Sequence, residues 1–187
     1  MSARPTLADP LRIAPLPLLI GAVEPGLGEA AAMLLCASQR IAVRLATLID
    51  ARLGPADPAL LDDSDRAILA AGPAHRESAR LIAGALAHAG RIRLLVSGAE
   101  VGRFVEACGH AARDAVFAVS REAGAEPFSS SADLVADVRA AGSAIFAGWR
   151  QALPPGFAAR LALVQPDIAP LPPGESGSGH AALYRLA

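Results

Sequence analysis

Apolar residues recur at the spacing of an α-helix over the first long uninterrupted stretch of the chain. No glycine or proline occurs between Gly28 and Leu53. Side chains three, four and seven residues apart share one face of a helix, and most of the arginines in this stretch lie on the other faces. The Gly54-Pro55 pair then ends the helix. The pattern predicts a single long helix with an apolar face formed by Leu34, Ile41, Leu45, Leu48 and Ile49.

The same periodicity, interrupted by glycines and prolines, predicts further helices. Pro73 suits the first turn of a helix, and Ser97 with Glu100 forms a capping-box pair ahead of an apolar set. Ser131 is a candidate cap for the last long helix. The run from Ile92 to Val96 fits either a strand or a buried helical turn. The predicted helices cover about residues 62–72, 73–89, 97–108, 111–123, 132–152 and 157–164.

The two ends of the chain differ from this helical pattern. Closely spaced prolines near the N-terminus, at positions 5, 10, 15, 17 and 25, favour an extended or turn-rich lead-in over residues 1–26. Residues 167–187 are rich in proline, glycine and serine and are predicted to be a flexible, disordered tail. The sequence therefore predicts an all-α fold: a compact single-domain bundle of six to seven helices over residues 27–166.

Composition and charge exclude several classes of protein. Apolar residues make up 53% of the chain and charged residues 19%, which is typical of a globular protein. The net charge is −1, and the arginines are scattered without interleaved aromatics, so we expect no nucleic-acid binding. The apolar run from Leu16 to Val23 contains Pro17 and is far shorter than a membrane span. We expect a soluble, cytoplasmic protein without direct membrane insertion.

One short motif has the form of a dinucleotide-binding loop. Gly26 to Ala31 reads G-x-G-x-x-A and follows an apolar run, and Asp50 has about the offset of the acidic residue that binds a ribose. Such a site also needs strands that alternate with helices, and Asp50 falls inside a predicted helix. We interpret the motif as a loop leading into a helix.

No arrangement of reactive side chains indicates catalysis. The histidines have no metal-ligand spacing, and Ser176 and Ser178 only approach a nucleophile-elbow pattern within the predicted tail. Cys36 and Cys108 lie in apolar helical stretches, where a thiol stays protonated, although one bridge between them remains open. We predict no catalytic, cofactor-binding or metal site. The alternative is a small all-α enzyme or ligand-binding protein with a pocket formed by His75, His88 or His110.

Several large apolar residues do not fit one buried seam. A small helical protein with such a surplus either buries it in a larger core or offers it to a partner. From the residues alone, partner binding and burial in a larger core therefore stay equally open. The residues concerned are Val43, Ile68, Phe117, Phe128, Phe146 and Phe157.

Two stretches within residues 62–166 resemble the accessory protein of the type III secretion sorting platform, the SctK/YscK family. The first resembles the family's central region and comprises Gly84-Ala85-Leu86, Arg91-Ile92-Arg93, Ser97-Gly98, Val101, and Gly109 ahead of Ala115-Val116-Phe117-Ala118. The second resembles its C-terminal signature and comprises Gly142, Trp149, Leu153-Pro154, Arg160-Leu161, Leu163 and Pro166.

The resemblance implies a non-enzymatic cytoplasmic scaffold of a bacterial protein-transport machine. Such proteins link the inner-membrane ring to the pod protein and, through it, to the export ATPase complex with its regulator. Residues would then act by packing or docking, without cofactors. The candidate partner-binding residues are Trp149, Leu153, Phe157 and Arg160. Trp149 also lies on the apolar stripe of its helix, so a place in the core remains open, and Arg160 would either cap the last helix or reach an acidic partner.

Overall fold

The computed structural model describes residues 13–119, 133–170 and Tyr184, and this part of the chain contains α-helices and one short 3-10 helix but no strand. The prediction of an all-α fold is confirmed. The described residues form ten α-helices, more than the six to seven predicted. They are α1 (Leu16–Val23), α2 (Glu29–Ala37), α3 (Gln39–Leu53), α4 (Asp63–Ala70), α5 (Pro73–Ala87), α6 (Ala89–Arg93), α7 (Gly98–Cys108), α8 (His110–Ala118), α9 (Leu134–Ala152) and α10 (Pro155–Val164), with the 3-10 helix at Pro58–Leu60.

The contacts divide the chain into two compact units, whereas the sequence analysis treated residues 27–166 as one helical domain. The first unit takes residues 1–70 and 153–168, and the second takes residues 71–152 and 169–187. In the first unit α3 contacts α1, α2 and α10. Its core cluster is formed by Ala14, Leu19 and Ile49, with half-buried apolar side chains of α3 and α10 packed around them.

The proline-rich lead-in contains a helix that the sequence analysis did not predict. Residues Leu16–Val23 form α1, with Pro15 as its N-cap and Pro17 in its first turn. Proline is tolerated there because the first N–H groups of a helix have no partner within the helix. The prediction of an extended or turn-rich segment is therefore wrong for these residues. Residues 1–12 lie outside the described part of the chain.

The predicted long helix from Gly28 to Leu53 is interrupted at Ser38. The backbone of Ser38 is extended, with φ −88° and ψ 117°, and it separates α2 from α3. Ser38 is neither a proline nor a glycine, so the sequence showed no helix breaker at the position of this break. Serine has a lower helix preference than its neighbours because its hydroxyl competes for backbone hydrogen bonds.

The second unit has a core to which each of its five described helices contributes. Ala85, Ile92, Phe104, Val116 and Val138 are among its buried residues, one from each of α5 to α9. The predicted starts and ends of these helices are confirmed at several points. Pro73 occupies the first turn of α5, the Ser97–Glu100 capping box is present, and Gly109 ends α7 with a φ of 89°.

Other predicted boundaries in the second unit differ from the structure. Gly90 does not end the helical path, because α6 follows α5 directly and contains Ile92, while Leu94 to Val96 are not helical. Asp133 caps α9, since its Oδ1 accepts hydrogen bonds from the N–H groups of Val135 and Ala136. Ser131 and the predicted end of α8 near Ala123 lie outside the described residues.

Helices α5 and α9 pack with their backbones in direct contact. A Cβ placed on Gly84 would lie 2.0 Å from the carbonyl oxygen of Val138, and one placed on Gly142 would lie 2.3 Å from that of Arg80. Only glycine permits this approach. The pairing runs antiparallel, because Gly84 meets the start of α9 and Arg80 meets the next turn.

The predicted flexible tail differs from the structure at Tyr184. The ring of Tyr184 is fully buried in the second unit, where it packs against Phe146 and Trp149. Residues 167–170 follow α10, and the other residues of the predicted tail lie outside the described part of the chain.

Candidate partner-docking groove

An open apolar groove lies in the second unit, where α6, α7 and α8 meet. Its volume is about 390 Å³. The lining is mostly apolar, with one pair of opposite charges at its edge. The lining residues are Ile92, Leu95, Val101, Phe104, Arg113, Asp114 and Phe117.

The floor and the wall of this groove follow from local helix geometry. The capping box fixes the start of α7, and residues three apart on that helix, Val101 and Phe104, share the face that lines the groove. Phe104 is buried and forms part of the core. Phe117 follows the buried Val116 by one residue, and successive side chains of a helix are about 100° apart, so Phe117 lies off the buried face of α8. Phe117 is consequently 61% exposed.

The segment between α6 and α7 adds further apolar surface beside the groove. Leu94 is 77% exposed and Val96 is 92% exposed, while Leu95 between them lines the groove. Single exposed apolar residues are common on soluble proteins, but several together with a groove are typical of an interaction surface. This combination makes the α6–α8 groove the strongest candidate site among the described residues.

Arg93 ties α6 to the end of α8 and so holds two sides of the groove together. Its guanidinium donates hydrogen bonds to the carbonyl oxygens of Val116 and Val119, both at 2.6 Å. Carbonyl groups at a helix C-terminus have no partner in the helix, and a cation there is favourable. At the edge of the groove Arg113 and Asp114 form an exposed ion pair of 2.6 Å.

A second, more polar groove lies on the other side of α7. Its volume is about 530 Å³, and it shares Leu95 and Phe104 with the first. The hydroxyl of Ser97, and then its backbone N–H, donate hydrogen bonds that lower the pKa of the Glu100 carboxyl. Glu100 therefore keeps its negative charge at neutral pH. The remaining lining residues are Arg103, Asp133, Leu134 and Val135.

The four partner-binding residues predicted from the sequence are all buried. Trp149 lies in the second unit among aromatic rings, while Leu153, Phe157 and Arg160 lie in the first. None of the four presents a side chain that a partner reaches on the folded surface. For Trp149 the place in the core, which the sequence analysis had left open, is the one that the structure shows.

Arg160 is fully buried and acts within the first unit. Its guanidinium donates hydrogen bonds to Asp50 Oδ1 at 2.9 Å, to the carbonyl oxygen of Gly54 at 2.9 Å and to that of Gly156 at 2.7 Å. The acidic group that it reaches belongs to its own chain. Gly54 adopts a positive φ of 85° at the end of α3, which brings its carbonyl within reach of Arg160.

The three histidines of the ligand-pocket alternative differ in burial. His75 and His110 are exposed and His88 is buried. No group of three His, Cys, Asp or Glu residues that could hold a metal ion occurs among the described residues. His180, Ser176 and Ser178 lie outside that part of the chain.

The element that precedes the glycines does not match the one that a dinucleotide-binding site requires. The run from Leu16 to Val23 is helix α1, not the strand that a dinucleotide site requires, and Gly28 is the N-cap of α2. The interpretation of Gly26 to Ala31 as a loop leading into a helix is confirmed.

Cys108 is a free, buried thiol whose pKa is raised by burial. A buried protonated thiol is a poor nucleophile, as the sequence analysis expected for this residue. The bridge to Cys36 that the spacing had left open is not formed by Cys108. The side chain of Cys36 lies outside the described part of the chain.

Sequence reasoning found only part of this groove. Phe117 was among the apolar residues that fitted no buried seam, and it is exposed, as is Val43, while Phe146 and Phe157 are buried. Ile68 is half-buried, and Phe128 lies outside the described residues. Leu94 and Val96 were missed because a short apolar run looks the same in a core turn and on a surface.

Within the described residues no helix is long and apolar enough to cross a membrane. Comparison with protein-family models, with curated proteins and with solved structures finds no match to the chain. The resemblance to the sorting-platform accessory protein therefore rests on the residues quoted for it.

Proposed function

We propose that this protein is a non-enzymatic helical adaptor that docks a protein partner in the α6–α8 groove. The observation that carries the proposal is the exposure of Phe117 beside an apolar groove of about 390 Å³. Leu94 and Val96 extend the apolar surface next to it. Burial of such side chains by a partner would contribute roughly 25 cal/mol for each Å² of apolar surface removed from water.

The shape and chemistry of the groove favour an amphipathic helix as the occupant. Its floor is apolar and its edge carries one positive and one negative side chain, Arg113 and Asp114. A helix that docks in a groove places apolar anchors three to four residues apart on the floor and polar residues at the edge. Aromatic side chains at the centre of such a contact contribute most of the binding energy, which makes Phe117 the expected hot spot.

The resemblance to the sorting-platform accessory protein supplies the candidate partners. They are the pod protein, the cytoplasmic domain of the inner-membrane ring and the regulator of the export ATPase. In this proposal the protein is a cytoplasmic scaffold that reaches the inner membrane through these proteins. The matched first stretch, residues 84–118, includes Val101 and Phe117 of the groove.

A comparison of two matched surface variants tests the groove. Phe117→Arg places a charge on the groove wall, and Leu34→Arg places the same charge on an apolar residue of the first unit that is 76% exposed. The tagged wild type and both variants are used to capture partners from the source cells, with identification by mass spectrometry. Thermal unfolding of each variant shows whether it is folded.

We expect the wild type and Leu34→Arg to capture the same sorting-platform component and Phe117→Arg to lose it while remaining folded. Unchanged capture by Phe117→Arg would exclude the groove as the docking site. If Phe117→Arg instead loses a specific partner that belongs to another assembly, docking in the groove would be supported and the assignment to a secretion apparatus would be excluded.

A further inference from the structure

Helices α5 and α9 form an aromatic socket one turn beyond the second of their two close backbone contacts. The backbones meet where Gly142 lies against the carbonyl group of Arg80. One turn further along each helix come Arg76 on α5 and Phe146 on α9, and Trp149 lies three residues beyond Phe146 on the same face. The Tyr184 side chain occupies the space at this level.

The Tyr184 ring contacts both aromatic rings of the socket. Its centroid lies 5.4 Å from that of Phe146, with the planes at 80°, and 4.7 Å from that of Trp149, with the planes at 34°. Phe146 and Trp149 are themselves 5.4 Å apart. Edge-to-face and offset arrangements of this kind are favourable beyond the burial of apolar area.

The socket also contains a polar contact that fits a tyrosine. The Tyr184 hydroxyl donates a hydrogen bond of 2.8 Å to the backbone carbonyl oxygen of Arg76, and this bond is buried. Burial is the main cause that raises the pKa of the phenol; the negative charge of Glu77 also raises it, and the positive charges of Arg76 and Arg80 oppose the shift. The hydroxyl is therefore protonated and able to donate throughout the physiological range. A phenylalanine would fill the same volume but leave the carbonyl without this donor.

The stretch of chain that leads to Tyr184 has the composition of a linker. Of the thirteen residues 171–183, three are glycine, two are proline and two are serine. Such composition is typical of segments that connect a docked element to a domain. Tyr184 thus combines the contacts of a core residue with the sequence context of a tethered ligand.

We propose that the α5–α9 socket is a peptide-binding site for a tyrosine-bearing segment, and that the chain's own C-terminal segment fills it in cis. This site differs from the α6–α8 groove and does not depend on the proposed adaptor function. The socket is then available to the same segment supplied in trans whenever Tyr184 leaves it.

The wild-type chain reports on this docking directly, because it contains one tyrosine and one tryptophan. At 4.7 Å between the rings, light absorbed by Tyr184 is transferred to Trp149. The transfer is measured by comparing excitation of both rings with excitation of the indole alone, as urea is added. Helix content is followed in parallel by circular dichroism.

A docked segment is expected to leave before the helices unfold, so the transfer is lost at a lower urea concentration than the helix signal. If Tyr184 is instead an integral part of the core, both signals change together in one cooperative transition. Coincident transitions would overturn the proposal.

The second experiment supplies the segment in trans. The full-length Tyr184→Ala chain, which has an empty socket and no tyrosine, is titrated with a synthetic peptide of residues 179–187. We expect binding that restores tyrosine-to-tryptophan transfer, and no binding of the same peptide to the wild type at equal concentrations. A peptide with Tyr184→Ala serves as the negative control.

A third peptide, with Tyr184→Phe, tests the polar contact through competition with the tyrosine peptide. Loss of one hydrogen bond predicts an affinity that is roughly three- to tenfold weaker. A Tyr184→Ala chain that keeps its helix content but binds no peptide would overturn the proposal. If that variant does not fold, the urea experiment on the wild type decides.

Discussion

At the scale of single residues, Arg160 is a buried charge that specific partners stabilise. No part of its side chain is exposed, and its guanidinium contacts a carboxylate and two backbone carbonyls. A charge removed from water is retained only where such partners replace the lost hydration. The arginine joins α10 to the end of α3, so its role is to hold the first unit together.

Replacing Arg160 is expected to cost more stability than replacing its acidic partner. Arg160→Met leaves the carboxylate of Asp50 and the carbonyl of Gly54 without their donor, at a cost of about 3 kcal/mol. Asp50→Asn keeps an acceptor at a half-exposed position and should cost about 1 kcal/mol or less. Urea unfolding of both variants measures the difference. Equal losses would show that the guanidinium contributes only through Asp50.

The Ser97–Glu100 pair gives a pH dependence of known sign. The pKa of Glu100 is lowered in the folded chain, so the stability that it contributes is present above the ordinary glutamate pKa and is lost as the pH falls through the lowered value. Ser97→Ala removes the main cause, and the Glu100 pKa should rise towards its ordinary value. Titration of the carboxyl signal by NMR measures it, with Ser97→Thr, which keeps a hydroxyl, as the control.

At the scale of elements, the closest contact in the second unit depends on two glycines that face each other across a helix pair. Neither Gly84 nor Gly142 is needed for a turn, because each lies inside a regular helix. Glycine in a helix normally lowers stability by about 1 kcal/mol relative to alanine. Here the close backbone contact that glycine permits offsets this cost. The atoms opposite are the backbone carbonyl oxygens of Val138 and Arg80, which cannot move aside as the end of a flexible side chain would.

Alanine substitutions at glycines should therefore have opposite effects in two helices. Gly142→Ala places a Cβ against the Arg80 carbonyl and is expected to cost about 3 kcal/mol. Gly102→Ala is the matched control, since Gly102 lies inside α7 with open space around it, and should stabilise by about 0.5–1 kcal/mol. Thermal unfolding compares them. If Gly102→Ala lowered stability, helix propensity would not determine the effect of substitution at Gly102.

At the scale of the whole molecule, charge is nearly balanced and apolar surface remains exposed. The net charge is −1 and the calculated isoelectric point is about 6.4. Near that pH long-range repulsion between copies vanishes, and apolar contacts decide whether copies associate. The α6–α8 groove with the exposed Phe117 is an apolar surface of this kind in the described second unit.

Self-association should therefore be strongest near pH 6.4 and weaker at pH 8, where the chain carries more negative charge. Phe117→Arg is expected to reduce association near pH 6.4 more than Leu34→Arg does, because both add the same charge but only the first blocks the groove. Static light scattering across this range provides the measurement. Equal reduction by the two variants would assign the effect to net charge alone.

The amino-acid sequence by itself determined most of the helices and several of their ends. Local chemistry acts there: Pro73 starts α5, Ser97 with Glu100 caps α7, and Gly109 ends it. Capping and glycine stops depend on residues within one turn of each other, so they are visible along the chain. The all-α fold and the loop at Gly26 followed from the same local signals.

Tertiary structure alone decided which apolar residues are covered. Trp149 and Phe157 were predicted to meet a partner and are buried, while Phe117 is exposed, although all three are aromatic residues in helices. Burial depends on which helices pack together. Helix periodicity identifies the apolar face of a helix, but it does not identify the element that covers that face. The acidic partner of Arg160 and the place of Tyr184 are contacts across more than a hundred residues, which no local pattern encodes.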